Sequence, residues 1–250
     1  MNTIMGIIVF ACLFGGALFG MYLRRRLPES HLDEKSLDIV KLGMGLTGTM
    51  AALLLSLLLG SAKSSFDTVN NELKGESANI IFLDRHLAYY GPEAQPLRDL
   101  LRKLATEFLV EMWPSERKQP LGSQGGARDR ELLYNGILGL TPSTDGQRSA
   151  KAQALSLAYT VAQTRWLMVE QQVNATSMTV IVVLVSWLTI IFIGLGLFAP
   201  RNATVVCALF ACAFSISGAI FLLLELYTPF SGVVQISSEP LRYAITSLGH

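Results

Sequence analysis

The chain has 250 residues, of which 51% are hydrophobic and only 16% are charged. Soluble domains usually carry about 25% charged residues, so this composition argues against an ordinary soluble enzyme. The 20 Lys and Arg residues nearly balance 19 Asp and Glu residues, which gives no electrostatic reason to expect a nucleic-acid partner. The composition predicts a membrane protein that is embedded in the lipid bilayer.

Long runs without a charged side chain locate the membrane spans. Each run reaches the roughly 20 apolar residues that a helix needs to cross the hydrocarbon core. Four such runs are present, at 1–23, 42–62, 171–200 and 202–224. The first run precedes its positive charges, Arg24-Arg25-Arg26, whereas a signal peptide carries them before its apolar core. We therefore predict four retained transmembrane helices in two pairs.

The segment between the pairs has the periodicity of helices. Apolar residues recur at three- and four-residue steps from Phe66 to Leu87, with Glu76 as the only polar interruption. We expect the second membrane helix to continue outward as one rod from about Gly43 to Tyr90. No proline occurs from Arg148 to Ala199, so we expect a similar extension leading into the third span.

These patterns predict an all-α polytopic membrane protein whose extramembrane bundle is formed partly by extensions of helices 2 and 3. The predicted divisions are a first transmembrane pair, a helical extramembrane domain, a second pair and a tail, at 1–62, 63–171, 172–226 and 227–250. In the tail, Pro229 to Gly232 cannot continue the fourth helix, and Ser238-Glu239-Pro240 has the chemistry of a new helix start. We expect Leu241, Ile245 and Leu248 to be buried.

The sequence contains few features that indicate an enzyme. It lacks Gly-x-Ser-x-Gly, His-Glu-x-x-His and Cys-x-x-Cys elements, and it contains only three histidines. Of these, His31 is the best metal candidate, but it sits in a charged loop where such side chains are usually solvated. Cysteines occur only in the predicted spans, where we interpret them as small packing residues: Cys12, Cys207 and Cys212. We predict no catalytic residue, no metal site and no cofactor.

Small side chains form a row along the second span. Gly48, Ala52, Ser56 and Gly60 follow at four-residue intervals, so they share one helix face. Such a row is typical of close helix packing, and it also suits the wall of an ion pathway. In the second case Lys63 stands at the mouth, where a ring of lysines attracts anions.

Small residues also recur in two other spans, where we interpret them as packing surfaces: Cys12, Gly16 and Gly20 in the first, and Thr204, Ala208, Ala211, Ser215 and Gly218 in the fourth. Glu225 marks the end of the fourth helix. It is a candidate interfacial acid, with anchoring at the membrane surface favoured over a functional role.

Two blocks carry a family resemblance. The block from Leu42 to Arg98 contains LGMGLTGTMAALLLSLLLGSAKSSFD and ANIIFLDRHLAYYGPEAQPLR, and the tail reads LELYTPFSGVVQISSEPLRYAI. The chain resembles the bacterial membrane protein family of unknown function that is labelled bestrophin-like. It departs from many relatives at Tyr227-Thr228, where they have an acidic-basic pair, and it lacks the phenylalanine-rich constriction of bestrophin channels.

Bestrophins are oligomeric anion channels with two spans, a helical segment and two more spans. The resemblance therefore implies a homo-oligomeric, anion-conducting channel of the bacterial inner membrane, whose partners are lipid, further copies of the chain and small ions. The second span would line the pore. The alternative is a non-conducting membrane protein whose helical bundle binds a partner or senses a signal.

The side of the membrane that carries the bundle has two opposing indications. Five Lys and Arg side chains lie between Arg24 and Lys41, and Arg201 raises the count on that side to six. Four lie near the opposite ends of the spans: Lys63, Lys74, Arg165 and Arg242. The positive-inside rule thus slightly favours an outside bundle, whereas the resemblance implies a cytoplasmic one. The question stays open.

Overall fold

The computed structural model of the protein describes residues 2–26, 34–113, 125–173, 178–200 and 202–249. Within these ranges the regular structure is helical, and no strand is present. The helices are α1 (Asn2–Leu23), α2 (Glu34–Tyr90), a short 3-10 helix (Pro92–Ala94), α3 (Gln95–Met112), α4 (Gly125–Gly139), α5 (Asp145–Val173), α6 (Met178–Phe198), α7 (Ala203–Leu226) and α8 (Glu239–Ser247). The all-α prediction is confirmed.

The predicted extension of the second membrane helix is also confirmed. α2 runs for 57 residues without interruption and begins earlier than expected, at Glu34. It ends at Tyr90 and is followed by Gly91, whose φ of 127° lies in the region that favours glycine. The expected continuity of α5 into α6 falls on residues 174–177, which lie outside the described residues, as do His31 and Arg201.

Four helices of the described chain are long and apolar enough to cross a membrane: α1, the apolar part of α2, α6 and α7. They correspond to the four predicted spans. The chain divides into two compact units, with residues 1–65 and 175–228 in the first and residues 66–174 and 229–250 in the second.

The first unit is held together by close contact between α1 and α6. A Cβ atom on Gly20 would overlap the carbonyl oxygen of Ile193, and one on Gly196 would overlap the carbonyl oxygen of Ala17. Only glycine lets the two backbones approach this closely, as in the small-residue packing of membrane helices. The packing role predicted for Gly16 and Gly20 is therefore confirmed, and both residues are buried.

The other residues that we interpreted as packing surfaces are exposed. Within the chain, the row on α7 from Thr204 to Gly218 faces outward, and a Cβ atom on Gly218 would meet no described atom within 4 Å. All three cysteines are exposed as well. Within the chain none of the three is a packing residue, and the side chains that α7 buries include the larger Leu209, Ile220 and Leu223.

The second unit is a helical bundle with its own apolar core. The α2 seam is buried as predicted, since Leu73, Leu83 and Leu87 have no exposed surface. The facing residues come from the other helices of the bundle and include Leu101, Phe108, Ile137 and Ala154. At about 25 cal/mol per Å2 of apolar surface removed from water, such a core is the main stabilising contribution to the unit.

The tail packs against this bundle through Trp113 at the end of α3. The Trp113 ring meets Phe230 edge to face with centroids 5.1 Å apart, and its Nε1 donates a hydrogen bond to the carbonyl oxygen of Ile236 at 3.0 Å. Leu241 and Leu248 are buried, as predicted, and Ile245 is half-buried. The tail is therefore part of the bundle's core.

Candidate functional site

The apolar part of α2 is less covered by the rest of the chain than any other span. We compared the share of buried residues in the most apolar 18-residue stretch of each span. This share is 6% in α2, compared with 33% in α1, 28% in α6 and 22% in α7. The covered side of α2 includes Met44, Ala51 and Leu58, which contact the core of the first unit. The opposite side is left for lipid or for another protein surface.

This uncovered side of α2 carries two parallel stripes. One is bulky and apolar and consists of Leu42, Leu46, Leu53 and Leu57, which are 67–78% exposed. The other is the small-residue stripe, which consists of Gly45, Thr49, Ala52, Ser56 and Gly60. Residues three and four apart share a face of a helix, so the small-residue stripe is continuous along the span.

Three of the four predicted pore-lining residues lie on the small-residue stripe. Ala52, Ser56 and Gly60 are exposed, and a Cβ atom on Gly60 would meet no described atom within 4 Å. Gly48 lies at the edge of the covered side, because a Cβ atom there would sit 3.9 Å from Cδ1 of Ile191 on α6. Most of the row is thus not used for packing within the chain.

Lys63 continues the small-residue stripe beyond Gly60. It is exposed on α2, three residues after Gly60 and therefore on the same face. An exposed cation at the end of a smooth helix face can attract an anion.

Glu225, the candidate interfacial acid, lies in the last turn of α7. Its residue surface is only 2% exposed, and its Oε1 accepts a hydrogen bond of 3.0 Å from Nδ2 of Asn2. Asn2 also donates to Oγ1 of Thr228 at 2.9 Å. These contacts connect the start of α1 to the end of α7, so the acid is held inside the unit.

The bundle contains a feature that the sequence analysis did not identify, a cavity of about 640 Å3 lined by α2, α3, α4 and α5. Its wall is largely apolar and includes Leu83, Leu104, Phe108, Leu133 and Val161. A volume in the range of about 300–1,000 Å3 is typical of small-molecule sites. The cavity belongs entirely to the second unit.

Glu76 lines this cavity. In the sequence this residue was visible only as a polar interruption of the apolar seam. It is 1% exposed, and its Oε2 has no hydrogen-bond partner among the described residues. It lies well beyond the charge-free run of α2, outside the membrane span. Burial raises the pKa of Glu76 to about 8, although the charge of Arg165 acts in the opposite direction. The carboxyl group is therefore largely protonated at neutral pH.

Arg165 is the central cation of the cavity. It makes an ion pair with Glu111, and its guanidinium group lies over the Phe108 ring at 4.7 Å from the centroid. Burial lowers the pKa of Arg165, and Glu111 raises it. The charge of Arg130, which also lines the cavity, lowers it further, so two guanidinium groups face the same space.

Potential metal ligands do not cluster in the described part of the chain. No group of three or more His, Cys, Asp and Glu side chains there is placed to hold a metal ion. His86 is half-buried and meets the Tyr89 ring at 6.5 Å.

The four apolar helices and the helical bundle define a multi-span membrane protein. A family model described as the Bestrophin-like domain matches residues 11–241, so the chain belongs to the Bestrophin-like family. This confirms the resemblance in the Leu42–Arg98 block and in the tail. The Bestrophin-like family is a channel-type membrane family.

A comparison with solved structures supports the same fold. The chain is similar to a crystal structure described as a membrane protein with a proline-to-alanine substitution, with a TM-score of 0.67 and 12% sequence identity. The similarity covers 96% of this chain and 97% of that one. At this identity the likeness concerns the fold alone. No curated protein matches the chain.

Proposed function

We propose that the chain is one subunit of a homo-oligomeric ion channel in the bacterial cell membrane. The subunits surround a central axis, α2 lines the pore through its small-residue stripe, and the channel conducts anions. The observation that carries this proposal is the uncovered side of α2 in a chain of the Bestrophin-like family.

Homo-oligomerisation is supported by the small residues that the chain leaves exposed. The small-residue stripe on α2 and the row from Thr204 to Gly218 on α7 both permit close approach of another helix. Neither surface is covered by the rest of the described chain. Two exposed rows on different helices suit a ring, in which one surface of each subunit meets its neighbours and another faces the axis.

Anion selectivity rests on the charges along the proposed pore. Lys63 lies three residues beyond the end of the small-residue stripe, and the stripe itself contributes hydroxyl groups from Thr49 and Ser56 but no carboxylate. A ring of lysines, one from each subunit, would concentrate anions at the mouth and repel cations. Glu225 is buried against Asn2 and does not contribute to this ring.

The second candidate function is a non-conducting membrane protein whose helical bundle binds a partner or senses a signal. The bundle cavity favours it, since a largely apolar pocket beside a buried acid is typical of ligand sites. The oligomeric state distinguishes the candidates first. A monomer or a plain dimer has no central axis for α2 to line.

Cysteine accessibility tests the pore assignment directly. In a background with Cys12, Cys207 and Cys212 changed to Ala, Ser56→Cys places a thiol on the small-residue stripe, and Leu57→Cys is a matched variant on the adjacent bulky stripe. A membrane-impermeant, thiol-reactive reagent is applied to proteoliposomes, and labelling and ion flux are followed together.

The pore assignment predicts that Ser56→Cys is labelled from the aqueous phase and that labelling reduces flux, while Leu57→Cys is protected. Ser56→Leu should leave the oligomer intact and narrow the pore. If the row only packs helices, Ser56→Leu instead crowds an interface and reduces assembly. Equal protection of both thiols in a correctly assembled oligomer would contradict the pore assignment.

A further inference from the structure

The bundle cavity contains a buried polar atom that has no hydrogen-bond partner among the described residues. Glu76 is almost completely buried, lines the cavity, and has an oxygen atom without a described partner. An unpaired buried polar atom destabilises the folded state, so buried polar groups are normally paired by protein, water or ligand. Most of the remaining wall is apolar, and the volume of the cavity suits a small molecule.

The charges around Glu76 indicate what kind of ligand group would pair with its carboxyl group. Arg130 and Arg165 both line the cavity, and they are close enough for their charges to interact. Glu111 and Glu131 line the cavity as well, and Glu111 pairs with Arg165, so the ionised side chains of the wall balance in charge. An anionic ligand can pair with the guanidinium groups and accept a hydrogen bond from the protonated carboxyl group of Glu76, whereas a cationic ligand gains no charge pairing from that neutral group.

We propose that the bundle cavity binds a small amphipathic carboxylate. The apolar chain of the ligand lies along Leu104, Phe108 and Leu133, and its carboxylate lies between Glu76 and the guanidinium groups of Arg130 and Arg165. This site is separate from the proposed pore on α2 and does not depend on conduction.

The proposal has a characteristic pH dependence. Ionised Glu76 repels a carboxylate, and the pKa of about 8 means that the protonated fraction falls from about 0.9 at pH 7 to about 0.1 at pH 9. The apparent Kd therefore rises about tenfold over this interval. Other titratable groups also face the cavity: Glu111 from α3, Arg130, Glu131 and Tyr134 from α4, and Tyr159 and Arg165 from α5. On α2 itself, Glu72 lies one turn before Glu76.

Three ligands with the same chain and different head groups provide the test: octanoate, octylammonium and octanol. Binding to the full chain in detergent is measured by calorimetry and by saturation-transfer NMR. Ala158→Phe fills the cavity from α5, while Ala152→Phe adds the same ring at an exposed position of that helix. The comparison between these two variants separates binding in the cavity from partition into detergent.

We expect octanoate to bind at least tenfold more tightly than octylammonium or octanol at pH 7. Ala158→Phe should abolish the binding, and Ala152→Phe should retain it. Arg130→Ala should weaken octanoate binding about tenfold, whereas Arg148→Ala, which removes an exposed arginine from α5, should not. Glu76→Gln should bind octanoate at pH 7 and lose the tenfold weakening at pH 9.

Three results would each overturn the proposal. The first is octanoate binding that is unchanged in Ala158→Phe. The second is octylammonium binding as tight as octanoate binding. The third is a pH dependence that persists in Glu76→Gln. Because Arg130→Ala and Glu76→Gln alter polar groups without filling space, they test the site even if Ala158→Phe fails to fold.

Discussion

The ion pair between Asp84 and Arg98 provides the most quantitative stability prediction. Arg98 donates from Nε to Oδ1 of Asp84 at 2.8 Å and from Nη2 to Oδ2 at 2.9 Å, and the two side chains are only 13% and 2% exposed. The backbone N–H of Gly249 donates to the same carboxylate at 3.3 Å. The pair therefore links α2, α3 and the tail.

Arg98→Ala leaves the Asp84 carboxylate buried with only the Gly249 contact. Removing one partner of a buried ion pair costs about 3–5 kcal/mol, because the remaining charge has lost its compensation. For a chain of this size, each kcal/mol lowers the melting temperature by about 2–4 °C, so we expect a decrease of roughly 6–20 °C. The assay is thermal unfolding of the purified chain in detergent, followed by circular dichroism.

Two variants make the test specific. Arg148→Ala removes an arginine from an exposed pair with Asp145, whose side chains are 74% and 95% exposed, and should change stability by less than about 1 kcal/mol. Replacing both Asp84 and Arg98 by Leu removes the charges together and should restore much of the stability. An Arg98→Ala melting temperature no lower than that of Arg148→Ala would refute this reasoning.

Three further predictions follow from close contacts and from burial. Gly20→Ala should sharply reduce the yield of monodisperse protein in gel filtration, whereas Gly15→Ala, where a Cβ atom meets no described atom within 4 Å, should not. Trp113→Phe removes the hydrogen bond to the tail and should cost about 1–3 kcal/mol in thermal unfolding. Glu76 has a folded pKa of about 8, above its ordinary 4.5, so the folded chain holds the proton more tightly. Stability relative to Glu76→Gln should therefore fall as the pH rises from about 5 to about 8 in melting experiments.

Much of the fold could be predicted because hydrophobic periodicity and span length are local properties of the sequence. The charge-free runs identified the four membrane helices, and the α2 seam from Phe66 to Leu87 predicted the long helix. The buried positions of Leu241 and Leu248 followed from the helix start at Ser238. Each inference depended only on residues within a few turns of one another.

The missed features depend on distant contacts. Asp84 and Arg98 are both visible in the family-like block, but their pairing requires α2 and α3 to return against each other. Glu76 looked like a simple interruption, because its environment is built from three other helices. Small residues were ambiguous for the same reason: Gly20 packs within the chain, while Gly218 on α7 faces outward. Spacing alone does not distinguish these two positions.

The channel proposal is tested most directly by the ion selectivity of the reconstituted oligomer. Currents are recorded in planar bilayers under a chloride gradient for the unchanged chain, for Lys63→Glu and for Lys74→Glu, which reverses an exposed charge on α2 beyond the membrane span. We predict anion-selective currents for the unchanged chain, a reversal potential shifted toward cations in Lys63→Glu, and no shift in Lys74→Glu. An assembled oligomer that carries no current, or a selectivity that ignores the charge at position 63, would contradict it.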